Sequence, residues 1–354
     1  MRTTRLLAAL AATATTIALA GCGSDDTGST DASASDSAAS SDTGDSADAA
    51  DAFPVTIEHA YGETVIEEQP ERVATVAWMN HEVPLALGVV PVGMAAAAYG
   101  DDDGDGVLPW VEEELEELGA ETPVLFDETE SIDFEAVADT QPDVILAAYS
   151  GLTQEEYDTL SQIAPVVAYP DVAWGTSYQD MILMNATALG LADEGQALVD
   201  ELDAEVTAAF DDHPALAGAN VVFSYLDPND LSTIGFYTTN DTRPGFLSDY
   251  GMGTPSVVAE ASEGSEEFYT TISAEEADRL EDVDLLITYG DAESEFLAAI
   301  QDDPLLSQIP AVAEGHVAVL PDATPLAAAA NPTPLSIGYD LDEYLDLLSD
   351  ALES

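Results

Sequence analysis

Short apolar runs rich in Val, Ile and Leu recur along this chain, alternate with stretches of helical character, and fall into two separate series. The first series, "RVATVAW", "VVPVGM", "PVLF", "DVILAAY" and "PVVAY", shows no polar alternation, so its strands need cover on both faces. Helices are expected between them, starting near Asn80, Pro109, Asp133 and Gln154. Two helical stretches follow almost without a break, Trp174 to Leu189 and Asp193 to Phe210. A second series comes after them, "ANVVFSYL", "PSVV", "DLLITYG" and "HVAVLP". Buried strands alternating with covering helices define an α/β fold with mainly parallel sheets.

The two series also resemble each other in detail. "IDFEAVADTQPDVILAAYSG", Ile132 to Gly151, aligns with "ISAEEADRLEDVDLLITYGD", Ile272 to Asp291. Each holds a helix-capping Asp133 or Ser273, a glutamate three residues after the isoleucine, a short helix, and an acid opening a strand that ends in tyrosine. A duplicated lobe is the economical reading. In open α/β sheets ligands bind at the carboxyl ends of strands, so two facing lobes would frame a cleft. The cleft candidates are therefore Trp78, Asn80, Tyr149, Trp174, Tyr225, Tyr237 and Tyr289, with Arg243 as the basic one.

The start of the chain reads as an export signal: Arg2 and Arg5, an apolar run from Leu6 to Ala20 too short to span a bilayer comfortably, then Leu19-Ala20-Gly21-Cys22. Small residues before the single cysteine resemble the lipobox of bacterial lipoproteins, which would make Cys22 a lipid anchor at the extracytoplasmic face of the cell membrane. With Cys22 acylated no disulfide is possible, and the exported domain must rest on its core. From Gly23 to Ala52 the chain uses almost only Ser, Asp, Ala, Thr and Gly, which has no apolar face to bury and reads as a disordered acidic tether.

The chain carries 71 Asp and Glu against five Lys and Arg, a formal net charge of -66. Such a charge excludes nucleic acid as a partner. The acids are spread along the whole chain, which fits a salty exterior better than one cation site. One acidic stretch does match a template: in "GDDDGDGVLPWVEEE", Asp101, Asp103, Asp105, Val107 and Glu112 stand at calcium-loop positions one, three, five, seven and twelve, with Gly106 at six. Calcium is a candidate ion there. The alternative is a solvated turn leading into a helix with Pro109 at its first position.

"VTIEHAYGETVIEEQPERVATV", "PLALGVVPVG", "IDFEAVADTQPDVILA", "LSQIAPVVAY", "PAVAEGHVAVL" and "NPTPLSIGYDLDEYL", in this order and spacing, resemble the iron-siderophore and cobalamin substrate-binding proteins of bacterial ABC importers. The resemblance implies two Rossmann-like lobes joined by one long rigid helix, expected over Asp193 to Phe210, with a small lobe closure. It divides the chain into a signal peptide (1–22), a tether (23–52), an N-terminal lobe (53–175), a helical crossover (176–212) and a C-terminal lobe (213–354). It also implies that Glu135 and Glu275, one on each lobe, dock on arginines of the importer's permease subunits, which a cytoplasmic ATPase drives. The protein is expected to act as a monomer.

The cleft candidates are aromatic and mostly neutral, which suits a flat or greasy chelate. Arg243 either donates to chelate oxygens or pairs with a neighbouring acid such as Asp241. A ferric siderophore of the hydroxamate type is favoured over an anionic catecholate, and haem or cobalamin stays open because a histidine or tyrosine could reach an axial position. His59, His81, His213 and His316 are scattered, which argues against a bare metal ion as cargo. There is no Gly-rich phosphate loop, no Gly-x-Ser-x-Gly elbow and no spare cysteine, so no enzyme is expected. A calcium-dependent surface adhesion protein is the competing class, but its calcium motif occurs once.

Overall fold

The computed structural model describes residues 52–291 and 295–354. The signal peptide, Cys22 and all of the tether but Ala52 lie outside these residues. A hairpin, β1 (Val55–His59) and β2 (Gly62–Ile66), leads into the first lobe: β3 (Val73–Thr75), α1 (Glu82–Ala86), β4 (Gly93–Ala95), α2 (Pro109–Leu118), β5 (Val124–Phe126), α3 (Phe134–Asp139), β6 (Val144–Leu146), α4 (Gln154–Leu160) and β7 (Val166–Val167). The crossover consists of α5 (Tyr178–Leu189) and α6 (Ala192–Asp212). The second lobe holds β8 (Val221–Asp227), β9 (Asp230–Tyr237), α7 (Thr242–Asp249), α8 (Ser256–Ser262), β10 (Tyr269–Ser273), β11 (Leu285–Gly290), α9 (Glu295–Asp302), α10 (Pro310–Glu314), β12 (Val317–Pro321), α11 (Pro325–Ala329) and α12 (Ile337–Glu353). No helix among the described residues is long and apolar enough to cross a membrane.

The first sheet has the order β5-β4-β3-β6-β7 and is parallel throughout. The second repeats that order as β10-β9-β8-β11-β12, with β8, β11 and β12 paired in parallel and β9 reversed, pairing antiparallel with both β8 and β10. The reversal is local chemistry: Pro228 and Asn229 turn the chain between β8 and β9, with the Asn229 N–H donating 2.8 Å to the Asp227 carboxylate. The aligned segments found in the sequence occupy equivalent places. Asp133 caps α3 by accepting from the Ala136 N–H at 3.0 Å, and Ser273 caps a 3₁₀ turn, Ala274–Leu280, by accepting from Glu275 at 3.2 Å. Each leads into the fourth strand of its sheet, β6 or β11.

Two local expectations are corrected. "PSVV" is no strand: Pro255 is the N-cap of α8, and Val257 and Val258 are the buried positions of its inner face. The helix expected from Trp174 begins instead at Tyr178 behind a Ser177 cap, because Trp174 sits in the left-handed region at φ 62°. The helix expected over 193–210 runs from Ala192 to Asp212, 21 residues, or about 31 Å of rise. Its buried residues Val199, Leu202, Val206 and Ala209 recur at helical spacing, so one stripe packs inward while the acidic face stays in water. That stripe belongs to a hydrophobic cluster that also takes in Leu146 of the first sheet, Ile287 of the second and Leu345 of α12. One continuous core therefore joins both lobes to the crossover.

Candidate ligand-binding site

Past the carboxyl end of β3, Ala77 and Met79 both adopt positive φ, 61° and 64°, and hold Trp78 between them in a strained turn. Trp174 comes from the loop before α5, its N–H bound to the Ser150 carbonyl at 2.9 Å. Its indole lies where a side chain on residue 151 would be: a Cβ on Gly151 would come within 2.1 Å of Trp174 Nε1. Tyr149, at the end of β6, packs edge-on against Trp174 with ring centroids 5.4 Å apart. These three rings form the first-lobe wall of a cavity of about 320 Å³.

The opposite wall is built around α7. Asp241 caps that helix by accepting from the Arg243 N–H at 3.0 Å, and both its oxygens also take the guanidinium, from Nε at 2.8 Å and a terminal nitrogen at 2.8 Å. The Asp241 side chain is 1% exposed and that of Arg243 17%. The guanidinium lies 3.6 Å above the Tyr237 ring and donates to the Tyr289 hydroxyl at 3.1 Å. Burial works to lower the Arg243 pKa, but hydrogen bonding and charge from Asp241 outweigh it and hold it well above the usual value. Burial pushes the Tyr289 hydroxyl up to about 12 although Arg243 opposes it, and burial likewise raises Tyr149. At neutral pH the cavity therefore presents neutral hydroxyls, aromatic faces and one cation already matched by one anion.

The two walls are tied together. Asn331, after α11, donates to the Tyr149 hydroxyl at 2.9 Å and accepts from Thr242 Oγ1 at 2.6 Å. At the rim Tyr99 donates to Asp322 at 2.9 Å. A second link lies behind the cavity, where Asp203 of α6 accepts from Tyr178 at 2.6 Å, Tyr250 at 2.7 Å and Gln179 at 3.1 Å.

The structure brings Trp78, Tyr149, Trp174, Arg243 and Tyr289 into one cavity, with Tyr237 behind Arg243. It does not bring Asn80 or Tyr225 there. Asn80 is fully buried and clamps two strand ends, donating to the Val76 and Tyr149 carbonyls at 2.9 and 2.8 Å and accepting from the Tyr149 N–H at 3.0 Å. Tyr225 is 46% exposed on β8 and lines no part of the cavity. Asp241, Phe268, Tyr99 and Asn331 line it and were not anticipated as ligand contacts. Asp241 was legible as the acid that pairs with Arg243, and Asn331 because it opens the family-like stretch "NPTPLSIGYDLDEYL".

The acidic loop is a separate feature. One oxygen each of Asp101, Asp103 and Asp105 converge within 4.8 Å of one another, the one such metal-compatible group among the described residues. The helix that would enter a calcium-binding helix–loop–helix is missing, because β4 ends at Ala95 and no helix starts before Pro109. The Asp101 carboxylate already accepts from the Asp103, Gly104 and Gly106 N–H groups at 3.2, 2.7 and 2.7 Å, and that of Asp105 accepts from the Val107 N–H at 2.9 Å. Glu112 has its pKa raised, by burial first and then by the charges of Asp105 and Asp103. The loop closes on its own backbone.

Two α/β lobes bridged by a long helix around a cleft are the architecture of an extracytoplasmic binding protein. The chain belongs to the periplasmic binding protein family, whose profile matches residues 73–324. It is 46% identical to PiaA of Streptococcus pneumoniae TIGR4 in its complex with ferrichrome, with a TM-score of 0.80 over 84% of this chain and 99% of that one. A second structure, described as the iron uptake ABC transporter substrate-binding protein PiaA, matches at 44% identity and TM-score 0.77 over 84% and 99%. A probable siderophore-binding lipoprotein of Bacillus subtilis (strain 168), YfiY, is 29% identical over 154 residues, 43% of each chain, so this match spans less than half of that lipoprotein's length. Family and fold are those of binding proteins that serve transport rather than catalysis.

Proposed function

We propose that this protein captures a ferric hydroxamate complex outside the cell membrane and delivers it to the permease subunits of an ABC importer driven by a cytoplasmic ATPase. The carrying observation is the charge balance of the cavity. Three hydroxamates neutralise one ferric ion, and a neutral, greasy complex fits a cavity whose sole cation, Arg243, is already matched by Asp241. A ferric tris-catecholate carries several negative charges and would meet Asp241 with no spare cation to offset them. The similarity to PiaA, solved with ferrichrome, supports the same class of ligand. Trp78, Trp174 and Tyr149 contact the complex, while Arg243 and Tyr289 donate to its oxygens.

Cys22 carries the lipid anchor, the stretch 23–52 is the tether, and the lobes span 53–175 and 213–354 about the crossover 176–212. Glu135 and Glu275 dock on the permease; both are exposed, and each stands at the start of the helical turn that precedes the fourth strand of its sheet. Two tryptophans in the cavity wall supply the test. Titration with ferrichrome should quench tryptophan fluorescence saturably, and a ferric tris-catecholate should not. A response to the catecholate or to haem alone would overturn the reading.

A further inference from the structure

A second cavity of about 280 Å³ lies against the first-lobe wall, and Trp78 and Trp174 line both. Its inner surface is small and apolar, with Ala77, Ala95, Ala96 and Ala98 contributing only methyl groups. Its charge differs from that of the first cavity. There Arg243 is matched by Asp241, whereas Glu128 and Glu156 line this one and no Lys or Arg does.

The two acids are not equivalent. Glu156 closes the capping box of α4 through one oxygen, which accepts from the Thr153 N–H and hydroxyl at 2.8 Å each, and neither of its oxygens is a buried orphan. Glu128 is half satisfied. One oxygen accepts from the Ala77 N–H at 2.9 Å, and the other is buried without a partner. Burial pushes this carboxyl up to about 7, against the Ala77 N–H and with help from the Glu156 charge. A buried acceptor left unmade is costly, and a donor brought to it recovers that cost.

We infer that this alanine-lined chamber takes a slender aliphatic arm of the bound chelate ending in a primary ammonium, which hydrogen-bonds Glu128 while the ferric core sits beside Arg243. The terminal torsion of a glutamate is soft, so a small turn of the carboxyl presents its unpaired oxygen to the arm. The strained backbone at Ala77 and Met79 has a role in this arrangement: it stands Trp78 between the chambers and aims the Ala77 N–H at Glu128. The inference rests on the ferric hydroxamate reading and adds to it a preference, among the trihydroxamates the cavity accepts, for those that carry a cationic arm.

The probes are ferrioxamine B, which has a terminal primary amine, and its N-acetylated form, which keeps the ferric core and lacks the charge. In fluorescence titrations the wild type should bind ferrioxamine B at least tenfold more tightly than the acetylated form. Glu128→Gln should reduce that preference to threefold or less. Ala96→Leu, which fills the chamber, should abolish it as well and keeps the test open if Glu128→Gln does not fold. Equal wild-type affinities for the two probes, with both still binding, would refute the chamber and leave the hydroxamate reading standing. A preference that survives both substitutions would also refute it. Failure of ferrioxamine B, its acetylated form and ferrichrome to bind would instead sink the hydroxamate reading, and the chamber with it.

Discussion

Asp241→Asn separates the charge of Asp241 from its other duty. Asparagine caps helices as well as aspartate does, so the bond from the Arg243 N–H is kept and α7 should start normally. What is lost is the anion that faces the guanidinium at 2.8 Å through two bonds, and the new amide turns one N–H₂ group toward another. Removing one partner of a buried pair costs about 3–5 kcal/mol, because the other charge is left without compensation. Arg243 retains 17% exposure toward the cavity, where water can partly replace the carboxylate, so the loss should fall near about 3 kcal/mol. With an m-value of about 3 kcal/mol/M for a domain this large, the urea midpoint followed by circular dichroism should drop by about 1 M at unchanged slope.

Arg243→Met leaves the reverse orphan. Asp241 is 1% exposed and has no comparable access to water, so this loss should be larger, about 5 kcal/mol. The double variant, with no buried charge left, should recover much of the loss, giving a coupling of about 2 kcal/mol or more. A fall below about 0.5 kcal/mol for Asp241→Asn, or additive losses in the double variant, would show that the pair behaves as an exposed surface bridge and that the cavity is wetter than the geometry implies.

Glu82 is fully buried, accepts from Trp110 Nε1 at 2.7 Å and the Leu335 N–H at 3.0 Å, and is pushed up to about 7 by burial although these donors oppose the shift. Folded protein therefore keeps a proton that the unfolded chain releases near its ordinary 4.5, so stability should fall by about 3 kcal/mol as pH rises from 4.5 to 7 and then level off. Urea midpoints across that window should slope downward in the wild type and less steeply in Glu82→Gln; an unchanged slope in the variant would assign the effect elsewhere. Gly151→Ala should weaken ferrichrome binding tenfold or more by displacing the Trp174 indole, as read by fluorescence titration, and wild-type affinity would show that the indole is not a wall of the site. Glu135→Ala and Glu275→Ala should abolish uptake of labelled ferrichrome by cells while leaving binding to the purified protein intact; normal uptake would remove docking from these residues.

Much of the architecture was legible because buried parallel strands read as short continuous apolar runs spaced by helical stretches, and because the helices expected near Pro109, Asp133 and Gln154 start by local chemistry at Pro109, Asp133 and Thr153. "PSVV" was misread since a stretch of four residues is too short to carry a period, and its proline serves equally well before a helix. The antiparallel pair was missed because β9 alternates poorly, buried only over Ile234 to Phe236. In the site, strand-end aromatics followed from topology, yet the same rule wrongly included Asn80. A strand end near the cleft needs something to hold it, and only the fold shows that this amide spends its bonds on Val76 and Tyr149. Phe268, Tyr99 and Asn331 come from a strand edge, a loop and the segment after α11. Their convergence is a property of the folded chain with no local signature.

The links between the walls bear on how such a protein reports its load. Tyr149 to Asn331 and Thr242, Tyr99 to Asp322, and three donors gathered on Asp203 of α6 already tie the two sides together, and a common hydrophobic core runs beneath them. Burial works to raise the Asp203 carboxyl, but its three donors outweigh that and lower it, so it stays ionised and keeps its grip across the physiological range. A wide hinge motion would have to break several of these bonds at about 1 kcal/mol each and expose the shared core as well. On the proposed transport reading, loading acts mainly by filling the cavity and shifting the walls slightly. A permease that reads so small a change needs one contact on each lobe, set by the fold rather than by flexible loops. Under the docking proposed above, Glu135 and Glu275, each fixed at the start of a capped helical turn in equivalent positions, supply those two contacts.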